Sequence, residues 1–212
     1  MTRIIAVRHA QSEGNLGHFF CGHTDVALTP HGHLQAEATA CYIAEHYAVD
    51  RIYSSDLIRV VMTARHTADK LGLPLELTRD LREINVGDWE GLTYDEVNDR
   101  WPAENHVWRN DFAHAACPGG ESVRGLFDRI NLAFRRLAEE NDGKTIALFS
   151  HATPIRSMLT AWQGLPFEAI STTPWPPNAS VTVVDYLDDG SMVLREKAVT
   201  AHFDAKGIAY SA

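Results

Sequence analysis

Two apolar runs limit what this chain can become. Ile4-Ile5-Ala6-Val7 and Thr145-Ile146-Ala147-Leu148-Phe149 show no alternation of apolar and polar residues. A strand with one wet face alternates, so a strand without alternation is covered on both faces. Two-sided cover calls for helices above and below the sheet, which is what crossover connections between parallel strands supply. Arg51-Ile52-Tyr53 and Val181-Thr182-Val183-Val184 read as two further short strands. Asp188-Asp189-Gly190 precedes Met192-Val193-Leu194-Arg195, a hairpin signal that predicts an antiparallel pair at the C-terminal end.

Helical stretches fall between these runs. Thr29-Pro30 is a capping residue followed by a first-turn proline, and helical spacing follows over 34–47. A second helix is predicted over 57–71, ended by Gly72 and Pro74. Val123, Leu126, Phe127, Ile130, Phe134 and Leu137 form a stripe at three- and four-residue steps, which predicts a helix over 122–140. A fourth helix is expected over 154–162, stopped by Gly164 and Pro166. The expected fold class is α/β: three layers (α/β/α) around a mostly parallel central sheet, with an antiparallel strand near the C-terminus. Residues 77–120 differ, being polar, aromatic and rich in loop formers, with Trp89, Trp101, Trp108 and Phe112. They are expected to form a loop-rich insertion over the functional edge of the sheet. No linker or repeat divides the chain, so residues 1–212 are read as one domain.

Composition removes several function classes. The chain has 212 residues, 45% of them hydrophobic, and a formal net charge of -9. No apolar run approaches the roughly 20 residues of a membrane span. The first residues, Met1-Thr2-Arg3-Ile4-Ile5-Ala6-Val7-Arg8-His9, turn polar too soon for a secretory segment. The acidic balance argues against nucleic acid and anionic membrane as partners, since both need basic patches. Cys21, Cys41 and Cys117 are odd in number and widely spaced, which suits reduced thiols and a cytoplasmic location.

In open parallel sheets, sites form beyond the carboxyl ends of the strands. Arg8 and His9 follow the first strand. Ser54, Ser55 and Asp56 follow the second, with Arg59 one turn on, and Ser150 and His151 follow the third. Two histidines and two arginines at one edge describe an anion site, because the guanidinium fork matches phosphate oxygens. A metal centre is the rival, but arginines facing a cation do not suit zinc, and His31-Gly32-His33 lacks a partner motif. No metal and no cofactor are expected. Arg8 and Arg59 could instead be surface ion-pair partners, and Glu83 a solvated loop carboxylate with Asp80, Asp88 and Glu90 as neighbours.

Arg8-His9-Ala10-Gln11-Ser12-Glu13-Gly14-Asn15 resembles the Arg-His-Gly signature, with its trailing Asn, of the histidine phosphatase superfamily, the phosphoglycerate-mutase-like proteins. Five further segments resemble that family in the same order. They are Gly22 to Gly32, Ser54 to Arg59 with Thr63-Ala64, Leu81 to Gly91, Pro118-Gly119-Gly120-Glu121-Ser122, and Ser150 to Arg156. The resemblance implies a phosphoglycerate-mutase-like fold and assigns roles. His9 becomes the nucleophile and carries a phosphohistidine, while Arg8, Arg59 and His151 hold phosphoryl oxygens. Asn15 adds a hydrogen bond, Gln11 lines the pocket, and Glu83 is the general acid. Ala10 and Gln11 stand where many members have Gly and Glu.

These roles are chemically consistent. A histidine nucleophile needs a free lone pair, so the other ring nitrogen must donate, most simply to a backbone carbonyl. Two nearby guanidinium groups oppose protonation of the ring. The arginines neutralise the transferred phosphoryl, which makes the enzyme metal-independent. The expected enzyme is an acid-type phosphatase (a phosphoric monoester hydrolase), since the chain is short and Gly87-Asp88-Trp89-Glu90-Gly91 resembles the phosphatase version. Phosphoglycerate mutase-type phosphoryl transfer and a non-catalytic phospholigand-binding module are the alternatives. A small phosphorylated metabolite is the expected partner, a homodimer is left open, and Phe19, Phe20, His23, His106, Trp108 and Phe112 are the expected substrate wall.

Overall fold

The computed structural model describes residues 1–204 and 206–209. β1 (Thr2–Arg8), β2 (Arg51–Ser55), β3 (Leu75–Thr78), β4 (Thr145–Ser150), β5 (Val181–Tyr186) and β6 (Met192–Val199) form one sheet. Their order is β3-β2-β4-β1-β5-β6. β2 pairs in parallel with β3 and β4, and β4 in parallel with β1. β5 runs against both β1 and β6, so a reversed strand stands second from the edge. The β5–β6 turn lies at Asp188-Asp189-Gly190, with Gly190 at φ 79°.

The uninterrupted runs are buried on both sides, as their composition requires. Ile4, Ala6, Ile146 and Leu148 face one layer, packed with Phe134 and Leu137 of α6 (Val123–Glu140) and Met158 and Trp162 of α7 (Ala152–Trp162). Ile5, Val7, Ala147 and Phe149 face the other, with Ile43 of α2 (Pro30–His46) and Val60 and Ala64 of α3 (Ile58–Leu71). This is a three-layer α/β/α fold. Thr29 caps α2 by accepting from Gly32 N at 2.9 Å. No helix among the described residues is long and apolar enough to cross a membrane.

The segment 77–120 needs correction. Its first two residues belong to β3, an edge strand of four residues that carries too little pattern to be read alone. The remainder holds α4 (Tyr94–Arg100) and α5 (Pro102–Asn110) besides short 3-10 turns. The α4 start is a Thr93–Glu96 capping box and Pro102 opens α5, so start signals were present in what was read as loop. A short helix, α1 (Glu13–Gly17), also follows β1, capped by Ser12 and Asn15. Trp89, Val97, Phe112, Leu126 and Ile170 form a separate apolar cluster beneath this region.

Candidate active site

Register explains why two histidines meet. β1 and β4 pair in parallel with Arg8 opposite Ser150, so His9 and His151 leave the sheet side by side. Their ring centroids are 5.3 Å apart and edge-on. His9 N donates to Ser150 O at 2.9 Å, while its own carbonyl accepts from Ala179 N and Asn178 Nδ2. The main chain at this residue is thus fixed from both neighbours.

The His9 ring is 5% exposed and lines a cavity of about 490 Å³. Its Nδ1 lies 2.8 Å from Ala10 O, which makes Nδ1 the donor and leaves the Nε2 lone pair bare. Burial, then Arg59 and Arg8, hold its pKa well below the ordinary value of 6.5. His151 is fully buried and does not line the cavity. Its Nε2 is 2.9 Å from Ser55 Oγ, its Nδ1 has no hydrogen bond, and burial again leads the causes that keep it neutral.

Arg8 and Arg59 both line the cavity and are 8% and 1% exposed. Arg8 Nη1 donates to Pro176 O and its Nε has no partner. Arg59 donates to the carbonyls of Cys21, Gly22 and Thr24. Neither forms an ion pair with a carboxylate among the described residues, which excludes the surface ion-pair alternative. Burial lowers both, Arg8 to about 10, so both stay charged at neutral pH. Glu83 favours the charged form of both, but two buried cations without an ion-pair contact are still costly, and a phosphoryl dianion is the ligand that relieves them.

Glu83 is the single carboxylate among the described residues that line the cavity. Ile84 N donates to its Oε1 at 2.8 Å and Thr153 N to its Oε2 at 3.3 Å. Its rivals are otherwise employed or remote. Asp80 pairs with Arg136, Asp88 is exposed, and Glu90 fastens the loop at 22–24. Glu90 accepts from the N–H groups of Gly22, His23 and Thr24 and from the Thr24 hydroxyl. A Cβ at Gly22 would run into Ile84 O and the Glu90 carboxylate, so only glycine lets this loop approach the acid segment.

Other expected residues divide. Asn15, Phe19, Phe20 and Trp108 line the cavity. Asn15 Oδ1 accepts from Ser12 and Asn178, which leaves its amide nitrogen as the donor for a ligand. Gln11 does not line the cavity; its Oε1 accepts from Thr29 Oγ1 at 2.7 Å because the chain turns there toward the start of α2. His23 lies behind Glu83, with Nε2 donating to the Glu83 carbonyl at 3.1 Å. His106 is exposed on α5 and meets Asn110, and Phe112 is buried behind the wall. Sequence reasoning missed Tyr94, Arg109 and Trp175, all of which line the cavity. Aromatic content marked the first two segments, but Trp175 lies in a loop with no signal of its own. All three cysteines are free thiols, and no cluster of three or more metal-ligating side chains occurs among the described residues.

The strand-end histidines, paired arginines and three-layer sheet define a class, and the chain belongs to it: residues 4–198 match the histidine phosphatase superfamily (branch 1). The 2,3-bisphosphoglycerate-dependent phosphoglycerate mutase of Brucella melitensis biotype 2 is 32% identical over 205 residues, covering 93% of this chain and 98% of the relative. Bacillus stearothermophilus YhfR shares the fold with a TM-score of 0.90 at 24% identity, covering 95% of this chain and 99% of that one. The mycobacterial glucosyl-3-phosphoglycerate phosphatase aligns with a TM-score of 0.82 at 27% identity, covering 93% and 99%. The Brucella relative is no longer than this chain, so shortness does not separate hydrolases from mutases here.

Proposed function

We propose that this protein hydrolyses phosphomonoesters of small metabolites through a phosphohistidine on His9. The observation that carries the proposal is the pair of buried arginines, neither in ion-pair contact with a carboxylate, beside the bare Nε2 of His9. His9 Nε2 attacks phosphorus, a P–N bond forms, and the P–O bond to the leaving alcohol breaks. Glu83 must hold a proton when substrate is bound, and it delivers that proton to the departing oxygen. Once ionised, it takes a proton from water, whose oxygen attacks phosphorus and breaks the P–N bond. Phosphate leaves and His9 is restored.

Arg8 and Arg59 meet the charge on the equatorial oxygens, so no step calls on a metal. A donor role for His151 toward the same oxygens needs its unpartnered Nδ1, buried outside the cavity lining, to come within reach of the bound phosphoryl. For Nδ1 to carry the proton, the Ser55 hydroxyl must donate to Nε2.

The name of the Brucella relative favours a mutase reading. A bisphosphoglycerate would need cations for its second phosphate and its carboxylate. Beyond the floor, the wall offers Arg109 together with the aromatic rings of Phe19, Phe20, Tyr94, Trp108 and Trp175. That wall favours hydrolysis of an ester whose alcohol is largely uncharged. Turnover of p-nitrophenyl phosphate in the presence of a chelator, beside 3-phosphoglycerate primed with 2,3-bisphosphoglycerate, tests the choice. Release of inorganic phosphate supports the hydrolase, whereas fast isomerisation with negligible phosphate release overturns it.

A further inference from the structure

Arg156 is 5% exposed and forms no ion pair with a carboxylate among the described residues. Its Nε donates to Thr173 O at 2.6 Å and its Nη2 to Ser171 O at 3.0 Å. Its guanidinium carbon sits 4.1 Å from the Trp175 ring centroid and 4.6 Å from that of Phe112. Those two rings meet edge-on, 5.1 Å apart at 73°. The cation therefore fills the angle between them and braces the indole from the protein side.

Trp175 itself is 45% exposed and lines the cavity. Phe20, Tyr94 and Trp108 are spent on one another or on rings behind them, and Phe19 is half-buried. Phe20 packs edge-on or tilted against Trp89, Tyr94 and Trp108, and Trp108 against Phe112. Trp175 alone among these rings combines a buried guanidinium stacked on it with a place in the cavity lining and an exposure of 45%. A cation on one face of an indole withdraws density from it and favours stacking of an electron-rich ring on the other.

We infer that Trp175, braced by Arg156 and Phe112, is the platform on which a planar, unsaturated leaving group stacks, so that the preferred substrates are phosphate esters of alcohols bearing a flat ring. This rests on the hydrolase reading and narrows it. Trp175 is a specificity-determining residue; Arg156 is a positioning residue that acts through it.

Benzyl phosphate and cyclohexylmethyl phosphate form a matched pair of probes. Both release a primary alcohol of similar acidity and size, and only one has a flat π-face. The wild-type enzyme is expected to prefer the benzyl ester about three- to tenfold in kcat/KM, the range stacking supplies. Trp175→Leu should bring the ratio near one and Trp175→Phe should retain most of it. Arg156→Met should raise KM for the benzyl ester with little change in kcat, and Arg156→Lys should restore it, because contact to a remote ring is uniform binding. A ratio near one in the wild type, or one unchanged in Trp175→Leu, overturns the inference while leaving the hydrolase standing. Failure of the wild type to release phosphate from either ester, with mutase turnover intact, instead removes the hydrolase reading.

Discussion

Three buried neutral histidines should make this fold sensitive to mild acid. His9, His151 and His202 are 5%, 0% and 8% exposed. Burial is the first cause holding each below 6.5, with His202 at about 4. The unfolded chain binds a proton at each position as pH falls below about 6.5, and the folded chain does not. Above that pH these groups make stability independent of pH. Below it, His202 costs about 1.4 kcal/mol per pH unit, or about 2 kcal/mol by pH 5. His9 and His151 act in the same direction, so together the three remove a substantial part of the stability of an ordinary domain.

Carboxylates do not confuse that window. Asp56, Asp185 and Glu121 are held low by their arginine hydrogen bonds against a burial cost, so their contributions are lost only as pH falls through the acid range below about 4. Exposed His114, raised by Asp111, works in the opposite direction but is screened by solvent. Urea unfolding at pH 7.5, 6.5, 5.5 and 5.0 measures the slope. His202→Gln, outside the cavity lining, should lower that slope by up to about 1.4 kcal/mol per pH unit. A stability that stays flat from pH 7.5 to 5.0 would refute the reasoning, as would an undiminished slope in the variant.

Further expectations concern the chemistry and its supports. His9→Ala should abolish p-nitrophenyl phosphate hydrolysis, by at least about 10⁴-fold, while circular dichroism stays native; residual turnover near wild type would remove His9 as nucleophile. Glu83→Gln should slow alkyl esters more than aryl esters, because good leaving groups need less proton donation; equal slowing speaks against Glu83 as the acid. Glu90→Ala strands three backbone N–H groups at 22–24 and loosens the carbonyls that hold Arg59, so a stability loss of about 2–4 kcal/mol and a raised KM for phosphate esters are expected. Unchanged urea midpoint and KM would show that the loop holds itself.

The sheet and its catalytic edge were legible because burial on both faces suppresses alternation, and because parallel strands deliver their final residues to one side. His9, Arg8 and Arg59 gather there as their positions after the strands imply, and Glu83 joins them as the family resemblance implies. Roles that depend on where a side chain turns were not legible. Gln11 and His23 stand one or two residues from cavity-lining positions, yet one bonds Thr29 and the other braces the Glu83 carbonyl. β3 escaped notice because four residues at a sheet edge, three half-buried and Leu77 exposed, carry no pattern distinct from a loop. Trp175 was invisible because what makes it a wall is Arg156, nineteen positions earlier and brought beneath it only by the tertiary fold.

The His9 main chain is tied into the centre of the sheet on both sides, whereas much of the aromatic wall stands on a separate apolar cluster. Such an arrangement divides cooperativity. Amide exchange at His9 should require global unfolding, while the segments carrying Tyr94, Trp108 and Trp175 can open by themselves at lower free energy. Changes in that outer layer can therefore accumulate, altering the shape of the wall, without drawing on the stability that keeps the cavity floor in place.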